Sequence, residues 1–343
     1  MSKKILVTGG TGFLASHIIF QLLQQGFAVK TTIRQNNSQA AILATIKANG
    51  IYDTSQLSFA VADLNQDAHW EEIMADCDGV ISVASPVFFG KVSNEQEVMK
   101  PARDGILRIL KAASKTGVKR VVMTSNFGAV GFSNLDKNSW TTEENWTDEN
   151  QAGLSLYEKS KLLAEKAAWQ FMKREKPNFD LVAINPVAIF GPSLNGHVSG
   201  SFDLLKMLLT GSTKRYPNLP LNVVDVRDVA AIHILAMLTP EAGGQRFIAS
   251  ANGIITMAEI AALIKKERPA LAAKVPQKQI PNFLIKLASH FNTTAQEGAL
   301  FLQMNRNVKN DKAKKQLGWQ PLADSKTAVL EAVDSLVAQK HIE

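Results

Sequence analysis

The sequence predicts an α/β fold: a doubly wound parallel sheet with a smaller interleaved C-terminal lobe. Three observations predict it. Short apolar runs alternate with longer amphipathic ones through the first half of the chain, the rhythm of strand, helix, strand. The apolar runs are continuous and β-branched rather than alternating, as strands read when helices cover both faces of a sheet. After Gly191 the rhythm breaks into loop and irregular segments.

The first strand is KILVT (4–8) and the first helix FLASHIIFQLLQQG (13–26). FAVKTTI (27–33) is a second strand, followed by a helical pattern in NSQAAILATIKANG (37–50). QLSFAVA (56–62) and DGVISVAS (78–85) are the third and fourth strands. A helix around GILRILKAASKTG (105–117) precedes the fifth strand, VKRVVMTS (118–125). FDLVAINP (179–186) is the sixth, preceded by a helix that begins near LYEKSKLLAE (156–165). Right-handed crossovers wind these units onto both faces of the sheet and place ligands at the carboxyl ends of the strands. LNVVDVRDVAAIHILAML (221–238) and QRFIAS (245–250) read as a strand, a helix and a further strand returning to that body. The predicted division is residues 1–190 for the sheet domain and 191–343 mainly for a second lobe, with segments near 221–250 returning to the sheet.

Bulk properties narrow the function classes. At 343 residues, 45% hydrophobic and 20% charged, the chain has ordinary globular composition and can bury a large core. Its single cysteine, Cys77, cannot form an internal disulfide and lies between acids that would raise a thiol pKa, so a small core or turn residue is expected. No apolar run reaches transmembrane length and the N-terminus lacks a signal-peptide pattern, so the expectation is a cytoplasmic protein without a membrane partner. The net charge of +7 is scattered, with a small cluster at Lys309–Lys315, and no basic stripe is interleaved with aromatics; no nucleic-acid partner is expected. The six histidines, His17, His69, His197, His233, His290 and His341, form no close ligand pair, and no metal is expected.

The segment VTGGTGFLA turns from the first strand into the first helix. Gly10, Gly12 and Ala15 fit G-x-G-x-x-A, and Gly9, Gly12 and Ala15 fit a looser G-x-x-G-x-x-A. Glycines there permit a tight turn and let the backbone approach a pyrophosphate. The helix N-terminus, opened by Phe13 and Leu14, supplies aligned N–H groups for its charge. An acid about 20 residues beyond such glycines usually takes the ribose 2′-hydroxyl of NAD. Here the second strand ends instead on Arg34, whose planar fork suits a 2′-phosphate and so favours NADPH; the alternative is a surface arginine at a strand end. Asp63, closing the third strand, is placed to meet the adenine side or to cap a helix.

Tyr157 lies four residues before Lys161, which puts both on one helix face, whereas Lys159 is about 200° around the axis. A nearby ammonium lowers a phenol pKa and brings proton transfer within reach of neutral pH. Ser125 ends a strand upstream, where a hydroxyl could hold a substrate carbonyl oxygen against the tyrosine.

The order of glycine turn, strand-end serine and Tyr-x-x-x-Lys resembles the short-chain dehydrogenase/reductase superfamily. TGGTGFLASH, INPVAIFGP, VVDVRDVAAIHI and VKNDKAKKQLGWQP resemble motifs of its extended members across nearly the whole chain. Arg34 and VASPVFF are most similar to the dihydroflavonol reductase and aldehyde/ketone reductase branch. The resemblance implies a Rossmann domain and an NADPH-dependent carbonyl reductase. Tyr157 would donate the proton, Lys161 would lower its pKa and bind the nicotinamide ribose, and Ser125 would hydrogen-bond the carbonyl. Pro186 and Val187 would border the nicotinamide, with Leu64 and Ala84 as further cofactor contacts. The asparagine of the superfamily's proton relay has no evident match. Asp225 and Asp228 read as structural, one of them capping the helix it opens. Phe88, Phe89 and Phe127 are candidate pocket walls or ordinary core residues; as walls they suggest an apolar or aromatic carbonyl substrate. The expected assembly is a monomer or homodimer. Two other functions use similar sequences: a sugar-nucleotide epimerase or dehydratase, against which Arg34 argues, and a non-catalytic NADP-sensing regulator, in which the tyrosine or lysine tends to be lost.

Overall fold

The structure is a computed structural model that describes residues 3–85, 95–211 and 213–342. Alternate residues of the first strand, β1 (Lys4–Val7), point to opposite faces, and both faces are apolar: Ile5 and Val7 enter one core, Leu6 the other. The same holds for β2 (Ala28–Ile33), β3 (Leu57–Val61), β4 (Gly79–Ser82), β5 (Arg120–Thr124) and β6 (Asp180–Pro186) taken as a sheet, which explains their continuous apolar runs. These six pair in parallel with β11 (Arg246–Ala249) as a seventh, in the order β11-β6-β5-β4-β1-β2-β3. Strand order reverses between β1 and β4, and the crevice for a ligand opens above that point.

On one face lie α1 (Phe13–Gln24) and α2 (Ser38–Ala48), and on the other the short α3 (Trp70–Met74), α4 (Gln96–Ser114) and α5 (Leu156–Glu175). Helix α4 starts nine residues before the pattern at Gly105 suggested and runs through Pro101. Its apolar stripe, Val98, Ala102, Ile106, Ile109 and Ala113, is buried, and that burial outweighs the roughly 3 kcal/mol a proline costs inside a helix.

Beyond β6 the chain forms β7 (Ala188–Phe190), α6 (Phe202–Leu209), β8 (Arg215–Pro217), β9 (Pro220–Leu221) and β10 (Val223–Asp225), the last pairing in parallel with β7. Helix α7 (Val226–Leu238) then packs on α1, and β11 joins the sheet beside β6. Asp225 opens α7, its carboxylate accepting from the N–H of Arg227 at 2.8 Å. Asp228 accepts from the N–H groups of Leu322 (2.7 Å) and Ala323 (3.3 Å) and so fastens the C-terminal tail to α7. Both acids are structural, one a cap, as their setting in VDVRDV suggested.

The remaining segments are β12 (Ile255–Thr256), paired with β9, α8 (Met257–Glu267), β13 (Lys278–Ile280), paired with β8, α9 (Asn282–Ala288) and α10 (Thr293–Gln303). Helices α11 (Asp311–Leu317) and α12 (Ser325–Ala338) close the chain, α11 against β11 and α7 and α12 against β10 and α8. In the basic cluster, Lys312 and Lys314 donate to Gln245 and Asn252. Cys77 is buried, and burial pushes its thiol up to about 12. Among the described residues no helix is long and apolar enough to cross a membrane, and no group of three metal-ligating side chains gathers.

Candidate active site

The turn after β1 can be built only with glycine. Gly9 has φ +74°, and a Cβ there would stand 2.9 Å from the Ala84 Cβ. A Cβ on Gly10 would collide with the Thr31 hydroxyl. Gly12 caps α1 in extended geometry, its N–H donating to the Gly9 carbonyl at 2.9 Å. Phe13 and Leu14 bury their side chains, and Phe13 packs edge-on against Phe202 at 5.3 Å between centroids. What they offer a ligand is therefore main chain: first-turn N–H groups with no partner inside the helix, at the positive end of its dipole.

A depression between β4 and α5 is lined by Leu64, Ala84, Met123, Thr124 and Lys161 among others, and Ala84 abuts the glycine turn at Gly9. The predicted cofactor contacts Leu64, Ala84 and Lys161 thus line one depression. Arg34 is exposed just past the end of β2, and Asp63 lies just past β3. The Asp63 carboxylate accepts from the N–H of Asn65 at 2.9 Å, a loop turn rather than a helix cap, since α3 begins only at Trp70. Pro186 and Val187 are buried at the end of β6, where the Val187 N–H donates to the Ala249 carbonyl. These glycines, exposed N–H groups and the strand-tip arginine suit a dinucleotide whose ribose carries a 2′-phosphate.

Helix α5 begins at Leu156 because Ser155 caps it, the hydroxyl accepting from the Glu158 N–H at 3.3 Å. Tyr157, Lys161 and Glu165 follow at intervals of four along one stripe. Lys159 turns away to an ion pair with Glu95 at 2.9 Å. Lys161 is only 8% exposed and donates to the Thr124 carbonyl at 3.3 Å; burial lowers its pKa to about 8. Tyr157 has 57% of its surface open. The protein packed around the phenol nevertheless pushes its pKa up to about 12, and Glu158 adds to the rise. Water at the open face tempers that shift without reversing it. The lowered phenol pKa expected from the Tyr-x-x-x-Lys spacing is thus not found: Lys161 bonds the strand carbonyl rather than the phenol, and burial dominates.

Ser125 differs from its expected role. It is 2% exposed, and its hydroxyl donates to the Glu165 carboxylate at 2.5 Å. That carboxylate, itself fully buried, also accepts from Asn185 Nδ2 (2.7 Å), Arg246 Nε (2.7 Å) and Trp169 Nε1 (3.1 Å). The Arg246 guanidinium lies 3.7 Å above the Trp146 ring and donates to the Glu143 and Asn145 carbonyls. The hydroxyl predicted to face a substrate faces this network.

Against this geometry the likeness to known proteins is consistent. Residues 6–249 match the model of the 3-beta hydroxysteroid dehydrogenase/isomerase family. The chain belongs to that family. A ketoreductase of Aspergillus niger is 32% identical over 99% of both chains. An anthocyanidin reductase of Vitis vinifera is 34% identical, covering 80% of this chain and 83% of its own. Among solved structures, the yeast methylglyoxal/isovaleraldehyde reductase complexed with NADPH superposes with a TM-score of 0.80 at 26% identity, over 98% of this chain and 99% of that one. Membership in the family makes the chain an oxidoreductase of the extended short-chain type, on the Rossmann architecture expected from its sequence.

For this family member, the sequence pointed to the glycine turn, Arg34, Tyr157 and Lys161, and the fold brings Lys161 into one depression with Ala84, which abuts the turn. Phe127 is core rather than pocket wall, buried with its ring 6.4 Å from that of Phe132. Phe88 and Phe89 lie outside the described residues. Sequence reasoning missed Glu165, Asn185 and Arg246, whose burial only the fold reveals; the one available signal was the continued i+4 spacing from Lys161 to Glu165. It also missed Glu158, whose carboxyl is pushed up to about 7 by burial with Glu297 of α10 adding to the rise.

Proposed function

We propose that this protein is an NADPH-dependent carbonyl reductase that converts aldehydes or ketones to alcohols with Tyr157 as proton donor. The observation that carries the reading is the arrangement on α5: Tyr157 exposed and Lys161 buried one turn below, lining a depression with Leu64 and with Ala84, which abuts the glycine turn. The kinship with NADPH-dependent and carbonyl-reducing enzymes supports it.

When bound, NADPH supplies the hydride that adds to the carbonyl carbon. The chain's residues do the rest. The N–H groups of Phe13 and Leu14 and the bare glycines take the diphosphate, and Arg34 takes the 2′-phosphate. Pro186, Val187, Leu64 and Ala84 shape the remaining cofactor wall, with Asp63 on the adenine side. At neutral pH the Tyr157 phenol holds its proton and the Lys161 amine is mostly cationic. As negative charge grows on the carbonyl oxygen, the phenol passes its proton across, and the nearby ammonium stabilises the phenolate left behind.

Residues 1–190 form the cofactor domain in this reading, and 191–343 mainly the substrate lobe. The substrate is a small carbonyl compound, apolar or aromatic, and the enzyme works in the cytoplasm as a monomer or homodimer. The test is to mix purified protein with NADPH and a panel of aldehydes and ketones, methylglyoxal and isovaleraldehyde among them, and follow the absorbance of the reduced cofactor. Turnover of one or more is expected, with Arg34→Ala weakening NADPH far more than NADH. Tight NADPH binding without turnover of any carbonyl would point to a cofactor-sensing protein instead.

A further inference from the structure

The tip of β5 carries three consecutive polar side chains, and two of them are engaged. His233 donates from Nδ1 to the Val229 carbonyl at 2.7 Å, so its Nε2 accepts the Thr124 hydroxyl at 2.8 Å. The Ser125 hydroxyl goes to Glu165. The third, Asn126, makes no side-chain hydrogen bond among the described residues, and its Oδ1 is buried without a partner. Asn185 and Asn222 also bury an unpartnered oxygen, but each commits its amide nitrogen to two acceptors. Asn126 commits neither end.

Its main chain, by contrast, is held from two sides: the Asn126 carbonyl accepts from Asn185 Nδ2 and from the Ala129 N–H, both at 3.1 Å. The carboxamide is therefore carried on a fixed backbone. Its position follows from Gly128: a Cβ built there would lie 3.0 Å from Asn126 Oδ1 and 2.6–2.7 Å from the Glu158 Cγ and Cβ. That places the Asn126 side chain against the first turn of α5 at Glu158, the residue after Tyr157. Further along α5, Lys161 meets the Thr124 carbonyl and Glu165 meets Ser125, so this face of the helix lies over the tip of β5.

We propose that Asn126, and not Ser125, binds the substrate's carbonyl oxygen, its side-chain Nδ2 donating to that oxygen while Tyr157 supplies the proton. The buried Oδ1 fixes which way the carboxamide turns and leaves Nδ2 as its accessible end, with two uncommitted donors suited to an oxygen gaining negative charge. The assignment rests on the reductase reading above.

The test measures kcat, KM, NADPH affinity and thermal midpoint for Asn126→Ala and Asn126→Ser. The probe is the panel carbonyl that wild type reduces fastest. Asn126→Ala is expected to lower kcat/KM about a hundredfold, mostly in kcat, with NADPH affinity and midpoint near wild type. Asn126→Ser, which restores a donor, is expected to recover at least tenfold of that loss. Wild-type kcat/KM in a folded Asn126→Ala protein would overturn the proposal, as would a loss that Asn126→Ser does not relieve. A hundredfold loss in Ser125→Ala at unchanged stability would return the role to Ser125. Full turnover by Tyr157→Phe would instead sink the reductase reading, whatever Asn126 does.

Discussion

One stripe of α5 ends in two polar sites built in opposite ways. At its lower end Glu165 is completely buried and receives hydrogen bonds from four side chains, among them the Arg246 guanidinium. At its upper end Tyr157 stands exposed, and Asn126 has no side-chain partner among the described residues. The lower site is saturated with its own contacts and holds β5, β6 and α5 in register. The upper site keeps its hydrogen-bonding capacity for something outside the chain. A buried carboxylate met on both oxygens is a fastening; a donor left unmet on a rigid backbone is a place for a ligand.

The sharpest way to break that comparison is Tyr157→Phe. It removes one hydroxyl at the open end, so kcat should fall by about 10²–10⁴-fold while NADPH affinity and stability stay near wild type, as steady-state kinetics and cofactor titration would read. Glu165→Ala should do the reverse. Loss of the carboxylate leaves the buried Arg246 without its counter-charge, and unfolding by denaturant should show about 3–5 kcal/mol of lost stability. If Glu165→Ala were as stable as wild type, the lower site would not be the fastening described.

Glu158 offers a smaller test between the two extremes. Its carboxyl is raised to about 7 in the folded chain against an ordinary 4.5. The folded state therefore binds the extra proton between those values, and stability falls as pH rises through that window. Glu158→Gln should stabilise the protein at pH 8 by about 1–2 kcal/mol, after allowing for partial hydration, and have no effect near pH 4. A pH-independent effect would show that burial of the charge is not the cause. The mildest effect concerns Lys161, lowered to about 8. Its positive charge is lost as pH rises through that value, so the reduction rate should decline above pH 8. Lys161→Arg, which keeps its charge, should lack that decline in whatever activity it retains.

The glycine turn, the six leading strands and the Tyr157–Lys161 pair were legible in the sequence because each depends on local rules. Positive φ and close strand approach require glycine, two-sided burial requires continuous apolar runs, and an i+4 spacing defines a helix face wherever the helix lies. Helix α4 was read around Gly105–Gly117, where the apolar pattern is densest, whereas its first turns, running through Pro101, are stabilised by tertiary burial. The pKa of Tyr157 was read with the wrong sign, because spacing reveals the neighbouring lysine but not how much protein surrounds the phenol.

By itself, then, the sequence determined the winding of the sheet, the cofactor turn and the helix that carries the tyrosine. The direction in which each polar side chain at the β5 tip points was decided only by the tertiary structure. Thr124, Ser125 and Asn126 are three adjacent polar residues with no local signal to rank them. Their partners, His233 and Glu165, lie 109 and 40 residues away in the chain. Which of the three is left for a substrate depends on contacts that exist only after those distant segments have packed together.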